Sequence, residues 1–274
     1  IYKKNNFQSF DFINKKRNFY LTKEQIYLGE KIFKDNIGKK LLEKKIICFT
    51  TRDNEYLKKK FPNRNFEYHN YRDMNADKII PAIKYLIKKG FFVIRMGRVA
   101  QKKINFKNQF FLDYPFSNYK CDLLDVYIAE KAYNWFGSNC GLDLLRWIFR
   151  KPVAIFNMAP LALMPFNHKN IVVIPKKYKK NNKYLKLSEI FELSVAAASG
   201  QKEFLTKKIQ LIENSSKEIL NLVKFVLNFQ KNFKLQKNQK KTIQIFCKEF
   251  IKNLKKYKLE NYQVKGCKNL RKNI

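Results

Sequence analysis

The sequence predicts an α/β protein: a Rossmann-like parallel sheet with helices on both faces, followed by helices at the carboxyl end. Three observations carry that expectation. Short, continuous apolar runs recur along the chain, as buried parallel strands require. Segments of helical period separate them at intervals of roughly 20 to 40 residues. Most runs also stop at polar residues, as strands that deliver side chains to a ligand-binding rim do.

The elements follow in order. Thr22, with Gln25 three residues on, reads as a capping box opening a helix to about Asn36. Ile46 to Phe49 is the first strand, ending at Thr50-Thr51-Arg52-Asp53. Asp77 reads as the cap of a helix carrying Ile79, Ile80, Ile83, Leu86 and Ile87, which Lys88-Lys89-Gly90 ends. Phe91 to Ile94 is a strand delivering Arg95, Met96, Gly97 and Arg98. Phe110 to Leu112 is a short strand ending at Asp113, and Asp122 to Lys131 is helical. Tyr133 to Phe136 is a strand, Gly141 to Phe149 a helix, and Val153 to Phe156 and Ile171 to Ile174 are strands. From about Leu187 the chain reads as helical, with Ser188 as a cap. A helix opens at Ser215 or Ser216, a very basic one spans about Lys241 to Tyr257, and residues 265–274 read as a frayed end.

The turn Gly137-Ser138-Asn139-Cys140-Gly141 joins a strand to a helix. Small residues there leave the first N–H groups of the helix open, and with the helix dipole they favour an anion. The dipole contributes only about 0.3 to 1 kcal/mol, so cations must supply the rest. Arg52, Arg95 and Arg98, at other strand ends, are placed to do so. The simpler reading is that Ser138 or Asn139 merely caps the helix; the convergence of several polar strand ends favours a phosphate site. Neither GxxxxGK[ST] nor GxGxxG is present.

Composition narrows the function. The net charge is +36, and lysine supplies 49 of the 58 basic residues. Phosphate readers lean on arginine, whose fork fits phosphate, so the lysine excess reads mainly as compositional drift. Attraction to anionic lipid headgroups still follows from the charge. The five cysteines lack CxxC spacing and only two histidines, His69 and His168, are present, which argues against zinc and histidine-cluster metal sites. That cysteine usage fits a reduced, cytoplasmic setting. No RNA- or DNA-binding signature appears, so no nucleic acid is expected. The lysine runs Lys176-Lys177, Lys179-Lys180 and Lys240-Lys241 read as solvated faces, Asp125 and Glu130 as solvent-facing, and Trp135 and Trp147 as core.

Four segments occur in a telling order: ICFTTRDNEY (47–56), YHNYRDMNADKIIPAIKYLIKKGFFVIRMGR (68–98), LDYPFSNYKCDLLDVYIAEKAYNWFGSNCGLDLL (112–145) and RKPVAIFNMAPL (150–161). Together, over roughly residues 45 to 225, they resemble a bacterial family of glycosyltransferases from cell-surface polysaccharide gene clusters. The shared pattern is R-D after the first strand, Y-R-[ND]-x-[ND], V-I-R-M-G, D-Y-x-x-S, G-[ST]-x-x-G and K-P-V. Where that family commonly has a hydroxyl, this chain has Cys140.

The resemblance implies the carboxyl-side half of a GT-B-like fold, binding a nucleotide-diphosphate sugar without a metal or other cofactor. A glycan or lipid-linked molecule would be the acceptor, and the enzyme would be cytoplasmic or peripheral on an anionic membrane surface. By a more distant likeness to fucosyltransferases, Arg52 would hold the donor diphosphate, with Ser138, Asn139, Cys140 and Gly141 at the phosphate-side helix start. Arg95 is the second candidate for stabilising the leaving group. Asp53 is the candidate base, although a strand-end Asp more often anchors an arginine or caps the next helix. Tyr71 and Arg72, in a polar cluster with Asp73, Asn75 and Asp77, are candidates to stack on or pair with the donor. Asp113 would bind a sugar hydroxyl or orient Arg95, and Gly97 and Arg98 complete the rim.

The expected domains are an amino-terminal segment (1–44, a possible remnant of an acceptor-side domain), a nucleotide-sugar domain (45–235) and a basic helix and tail (236–274). Some 44 residues are too few for an acceptor domain, so the chain is truncated, or its acceptor half is minimal or belongs to a partner. The rival readings are a basic nucleic-acid-binding protein and an inactive scaffold of the same fold.

Overall fold

The computed structural model describes residues 16–164, 171–231 and 237–257. His168, Cys267 and the 265–274 tail lie outside them. Six strands form one parallel sheet: β1 (Ile46–Thr50), β2 (Phe92–Met96), β3 (Phe111–Asp113), β4 (Asn134–Gly137), β5 (Val153–Met158) and β6 (Ile171–Pro175). Their order is β3-β2-β1-β4-β5-β6. The chain moves outward from β1 in one direction and then, at β4, starts again on its other side. That reversal opens a crevice beyond the carboxyl ends of β1 and β4, where ligands settle in open α/β sheets.

Successive strand residues face opposite sides, which is why the strands read as unbroken apolar runs. Cys48, Phe92, Ile94, Trp135 and Ile155 point to one face, where they share a core with Phe33, Leu124, Tyr127 and Ile128. These four come from α1 (Lys23–Phe33) and α5 (Asp122–Lys131). Phe33 meets Phe92 edge-on at 6.2 Å, so the segment before β1 helps build this core. Ile47, Phe49, Val93, Phe136 and Phe156 point to the other face. There they pack on Ile79, on Ile83 and Leu86 of α4 (Ile80–Lys88), and on Ile219 to Leu227 of α9 (Ser216–Lys231); two short helices, α2 (Lys39–Leu42) and α3 (Glu55–Lys60), come earlier in the chain. Trp135 and Trp147 are buried, as expected.

Several elements differ from the sequence expectation. Thr22 forms its capping box with Gln25, but the helix is α only to Phe33 and continues as a π turn over Lys34–Gly38. Asn75, not Asp77, caps the turn before α4, accepting from the Asp77 amide. Asp77 instead holds Lys102 at 3.1 Å and the Asn105 amide. The expected helix over Gly141 to Phe149 is a 3-10 turn (Gly141–Asp143) followed by a short α6 (Leu144–Ile148). Asp125 is buried beside Arg98 rather than facing solvent.

Three strands were not foreseen: β7 (Lys177–Lys180), β8 (Lys183–Tyr184) and β9 (Gln210–Ile212), forming a small antiparallel sheet in the order β8-β7-β9. Asn181 and Asn182, both at positive φ, make the hairpin turn between β7 and β8. Within Lys-Tyr-Lys-Lys only Tyr178 is buried, so no apolar run announces the strand. Helices α7 (Leu187–Glu192) and α8 (Gln201–Thr206) follow, α7 capped from Lys186 rather than Ser188, and α10 (Lys237–Lys256) begins earlier than expected. No helix among the described residues is long and apolar enough to cross a membrane.

Candidate anion-binding site

The end of β1 is tied to the end of β4. The Thr50 hydroxyl accepts from the Ser138 amide at 3.3 Å, and the Ser138 hydroxyl accepts from the Arg52 amide at 2.7 Å. This clasp fixes where Arg52 leaves the strand. Its guanidinium, largely buried, donates to the carbonyl of His69 at 3.2 Å and pairs with Asp73. Both partners stand in or just after a 3-10 turn (Glu67–Arg72) laid over the crevice.

From the same turn Arg72 reaches across to donate to the carbonyl of Asn139, which sits at φ +60. Lys176, the residue after β6, comes from the opposite side and is only 4% exposed. Its ammonium donates to the carbonyls of Tyr71 (2.9 Å) and Asp73 (2.7 Å). Arg52, Arg72 and Lys176 thus gather around one carboxylate, Asp73.

The electrostatics follow from that crowding. Burial lowers Arg52, and the nearby Arg72 lowers it further. Burial brings Lys176 down to about 8, so it is still mostly charged at neutral pH. Burial lifts Asp73 to about 6, with Arg52 opposing the rise and Asp53 adding to it. His69 is lowered by burial and by both arginines. The Nε of Arg72 and the Nδ1 of His69 are buried without a hydrogen-bond partner. Glu213, which also bears on Lys176, is paired with Lys78, so Arg52, Arg72 and Lys176 outnumber Asp73 and Asp53 in a place partly screened from water, where an anion interacts more strongly than at an open surface. A cleft of about 430 Å³ reaches the cluster, lined by Tyr71, Asp73, Lys176, Gln201, Phe204 and Glu213 among others.

The turn after β4 does not offer the amide of its cap residue, Cys140, to an anion. The carboxylate of Asp143, 2% exposed, fills that place, accepting from the Cys140 amide (2.9 Å), the Thr50 hydroxyl (2.6 Å) and the Trp135 indole (2.7 Å). Burial, together with the neighbouring Asp143 carboxylate, pushes the Cys140 thiol up to about 12. Ser138 is fully buried in the clasp, and Asn139 spends its side-chain amide on the carbonyl of Ala159 at 3.2 Å. Gly141 is exposed beside them.

Arg95 does not reach the rim. It is 1% exposed, pairs with Asp113 at 2.6 Å and donates to the Lys102 carbonyl at 3.0 Å. Asp113 also accepts from the Ile104 amide at 2.9 Å, so of its two expected roles the one visible is holding Arg95. Asp53 accepts from the amides of Glu55 and Gln101, both at 3.0 Å, so each of its oxygens is tied to the backbone, although the cap residue of α3 is Asn54. Asp53, Asp77 and Asp113 together pin residues 101–105 over Arg95. Gly97, at φ +152, passes close to Pro115, and Arg98 pairs with Asp122 and Asp125 at the start of α5. Tyr71 is buried against Phe204, ring centroids 5.1 Å apart.

Of the residues singled out in the sequence, Arg52, Tyr71, Arg72 and the 138–141 turn come together; Arg95 pairs instead with Asp113, and Arg98 with Asp122 and Asp125. Lys176 and Asp143 were missed. Lys176 follows a strand directly, the same signal that marked Arg52, but its lysine-run setting made it look solvated. Asp143 stands three residues after Cys140, the capping-box spacing. Among the described residues no three His, Cys, Asp or Glu side chains gather as a metal site. Set against protein-family models, curated proteins and solved structures, the chain matches none of them.

Proposed function

We propose that this chain is a glycosyltransferase that binds a nucleotide-diphosphate sugar and passes the sugar to a glycan or lipid-linked acceptor in cell-surface polysaccharide synthesis. The observation that carries the proposal is the cluster of Arg52, Arg72 and Lys176 beyond β1, β4 and β6, at the crevice where the sheet order reverses. Bond breaking at the sugar leaves a nucleoside diphosphate, and fixed cations stabilise the charge that grows on it. Arg52 and Arg72 are the diphosphate ligands in this reading, and Lys176 adds a third charge from the cleft. The amides of the 138–141 turn, assigned to phosphate by the sequence pattern, contribute less, because Asp143 takes the Cys140 amide.

A thermal-shift series with UDP, GDP, CMP, dTDP and their sugars tests the reading. One base class should raise Tm, because a ligand at 100 times its Kd stabilises by about 2.7 kcal/mol. Arg52→Ala and Arg72→Ala should each abolish the shift. A chain that stays folded and responds to none of these compounds would be no such enzyme.

A further inference from the structure

Five aspartates around the crevice and the loop over Arg95 are not held alike. Asp53, Asp77, Asp113 and Asp143 each accept at least one backbone N–H, which fixes their carboxylates in the fold. Among the described residues, the carboxylate of Asp73 takes a hydrogen bond only from the guanidinium of Arg52. It keeps 24% of its side chain exposed and lines the 430 Å³ cleft, so it stands between solvent and the buried cation. Beside it, the Nε of Arg72 is a buried donor with no acceptor.

An anion entering the cleft therefore meets Asp73 first. Two negative groups cannot share Arg52 without repulsion, so one gives way. The carboxylate that no backbone amide holds is the one free to move, by rotating about its side-chain bonds. We propose that Asp73 is a displaceable stand-in anion: it occupies Arg52 in the free protein and is replaced there by a phosphate of the ligand. This inference rests on the site described above and names the residue that opposes its ligand.

The proposal predicts a gain where loss of a ligand-contacting residue would give a loss. The charged groups bearing on Asp73 are Arg52 after β1, Arg72 in its own turn, Lys176 after β6 and Asp53 in the loop after β1. Displacement takes Asp73 from a cation and puts it near an anion, so it holds its proton more tightly in the complex. Binding then takes up a proton, and affinity rises as pH falls toward about 6, where Asp73 titrates in the free protein. Above the value Asp73 reaches in the complex, its contribution is flat.

The experiment is isothermal titration of wild type and Asp73→Asn with the nucleoside diphosphates at about pH 8, where a phosphate with a second pKa of about 6 is fully ionised. Sulfate, which does not titrate near neutrality, is measured between about pH 6 and 8. Asp73→Asn should bind about tenfold tighter, a like charge having been removed at contact range. Wild-type sulfate affinity should rise toward acid, and the variant's should rise less steeply, through Lys176 and His69 alone; equal slopes overturn the proposal. Equal or weaker anion binding by a folded Asp73→Asn protein overturns the proposal. So does a flat wild-type sulfate profile, which needs no variant. If sulfate behaves as predicted while no nucleoside diphosphate binds, the stand-in role holds and the glycosyltransferase reading falls.

Discussion

Lys176 shows what burial does to a single charge in this chain. Its ammonium is held by two carbonyls and faces the carboxylates of Glu213 and Asp73, yet burial outweighs these and, with Lys78 and Arg52 adding to its effect, brings it to about 8 from 10.5. A lysine with a lowered folded value binds its proton less tightly than the unfolded chain does. Between about pH 8 and 10.5 the unfolded state therefore carries the extra proton, and stability rises with pH. The slope approaches about 1.4 kcal/mol per pH unit for one group. Forty-eight other lysines blur that signal in wild type alone, so the measurement is a difference. In urea unfolding between about pH 8 and 10, wild type should gain stability relative to Lys176→Met, which keeps the stem and removes the charge. A constant difference would place Lys176 in a better-hydrated setting than its 4% exposure indicates.

At the scale of elements, the turn from β4 into α6 separates what the sequence makes legible from what it conceals. The strands of the parallel sheet were legible because the central ones are buried on both faces, so their apolar runs are continuous; Ile46–Thr50 and Val153–Met158 are buried from end to end. Their polar ends pointed to Arg52 for the same reason. Concealed were the features that depend on a distant partner. The Asp113 contact to Arg95 was one of two roles the sequence offered, but nothing local shows that residues 101–105 would seal Arg95 off, or that Arg72 would cross to Asn139. The two glycines of the turn looked alike, yet only one is constrained. A Cβ on Gly137 would collide with the Asp143 carboxylate, whereas a Cβ on Gly141 meets nothing within 4 Å. Gly137→Ala must push Asp143 away from Thr50, Trp135 and the Cys140 amide, leaving buried donors unpaired at about 1 to 3 kcal/mol each. Gly141→Ala should be neutral or stabilise by up to about 1 kcal/mol, since it stiffens only the unfolded chain. Denaturant midpoints for the two variants test this, and a larger loss at Gly141 would contradict the Asp143 geometry.

For the whole molecule, the surplus of 36 positive charges has two separable consequences. One is self-repulsion, which salt relieves: the Debye length falls from about 10 Å at 0.1 M to about 3 Å at 1 M, so exposed lysines cease to feel each other. Tm should therefore rise with sodium chloride. The other is attraction for any polyanion, and here the inward placement of three cations separates two kinds of partner. A nucleic acid held by surface lysines releases counterions for every phosphate it neutralises, and its affinity falls with a slope of about −0.9 per contact. With six contacts, affinity drops by more than a thousandfold between about 50 and 200 mM salt. A diphosphate bound among Arg52, Arg72 and Lys176 presents few charges, and partly buried pairs are screened much less than exposed ones. Its affinity should change only several-fold over the same range while Tm climbs. Competition sharpens the distinction, because Arg52→Ala removes the diphosphate's partner but leaves the lysine surface intact. That variant should lose the nucleotide and keep any salt-sensitive hold on RNA. Were nucleotide binding as steep in salt as RNA binding, and equally indifferent to Arg52, the lysine surface and not the crevice would be the anion site of this fold.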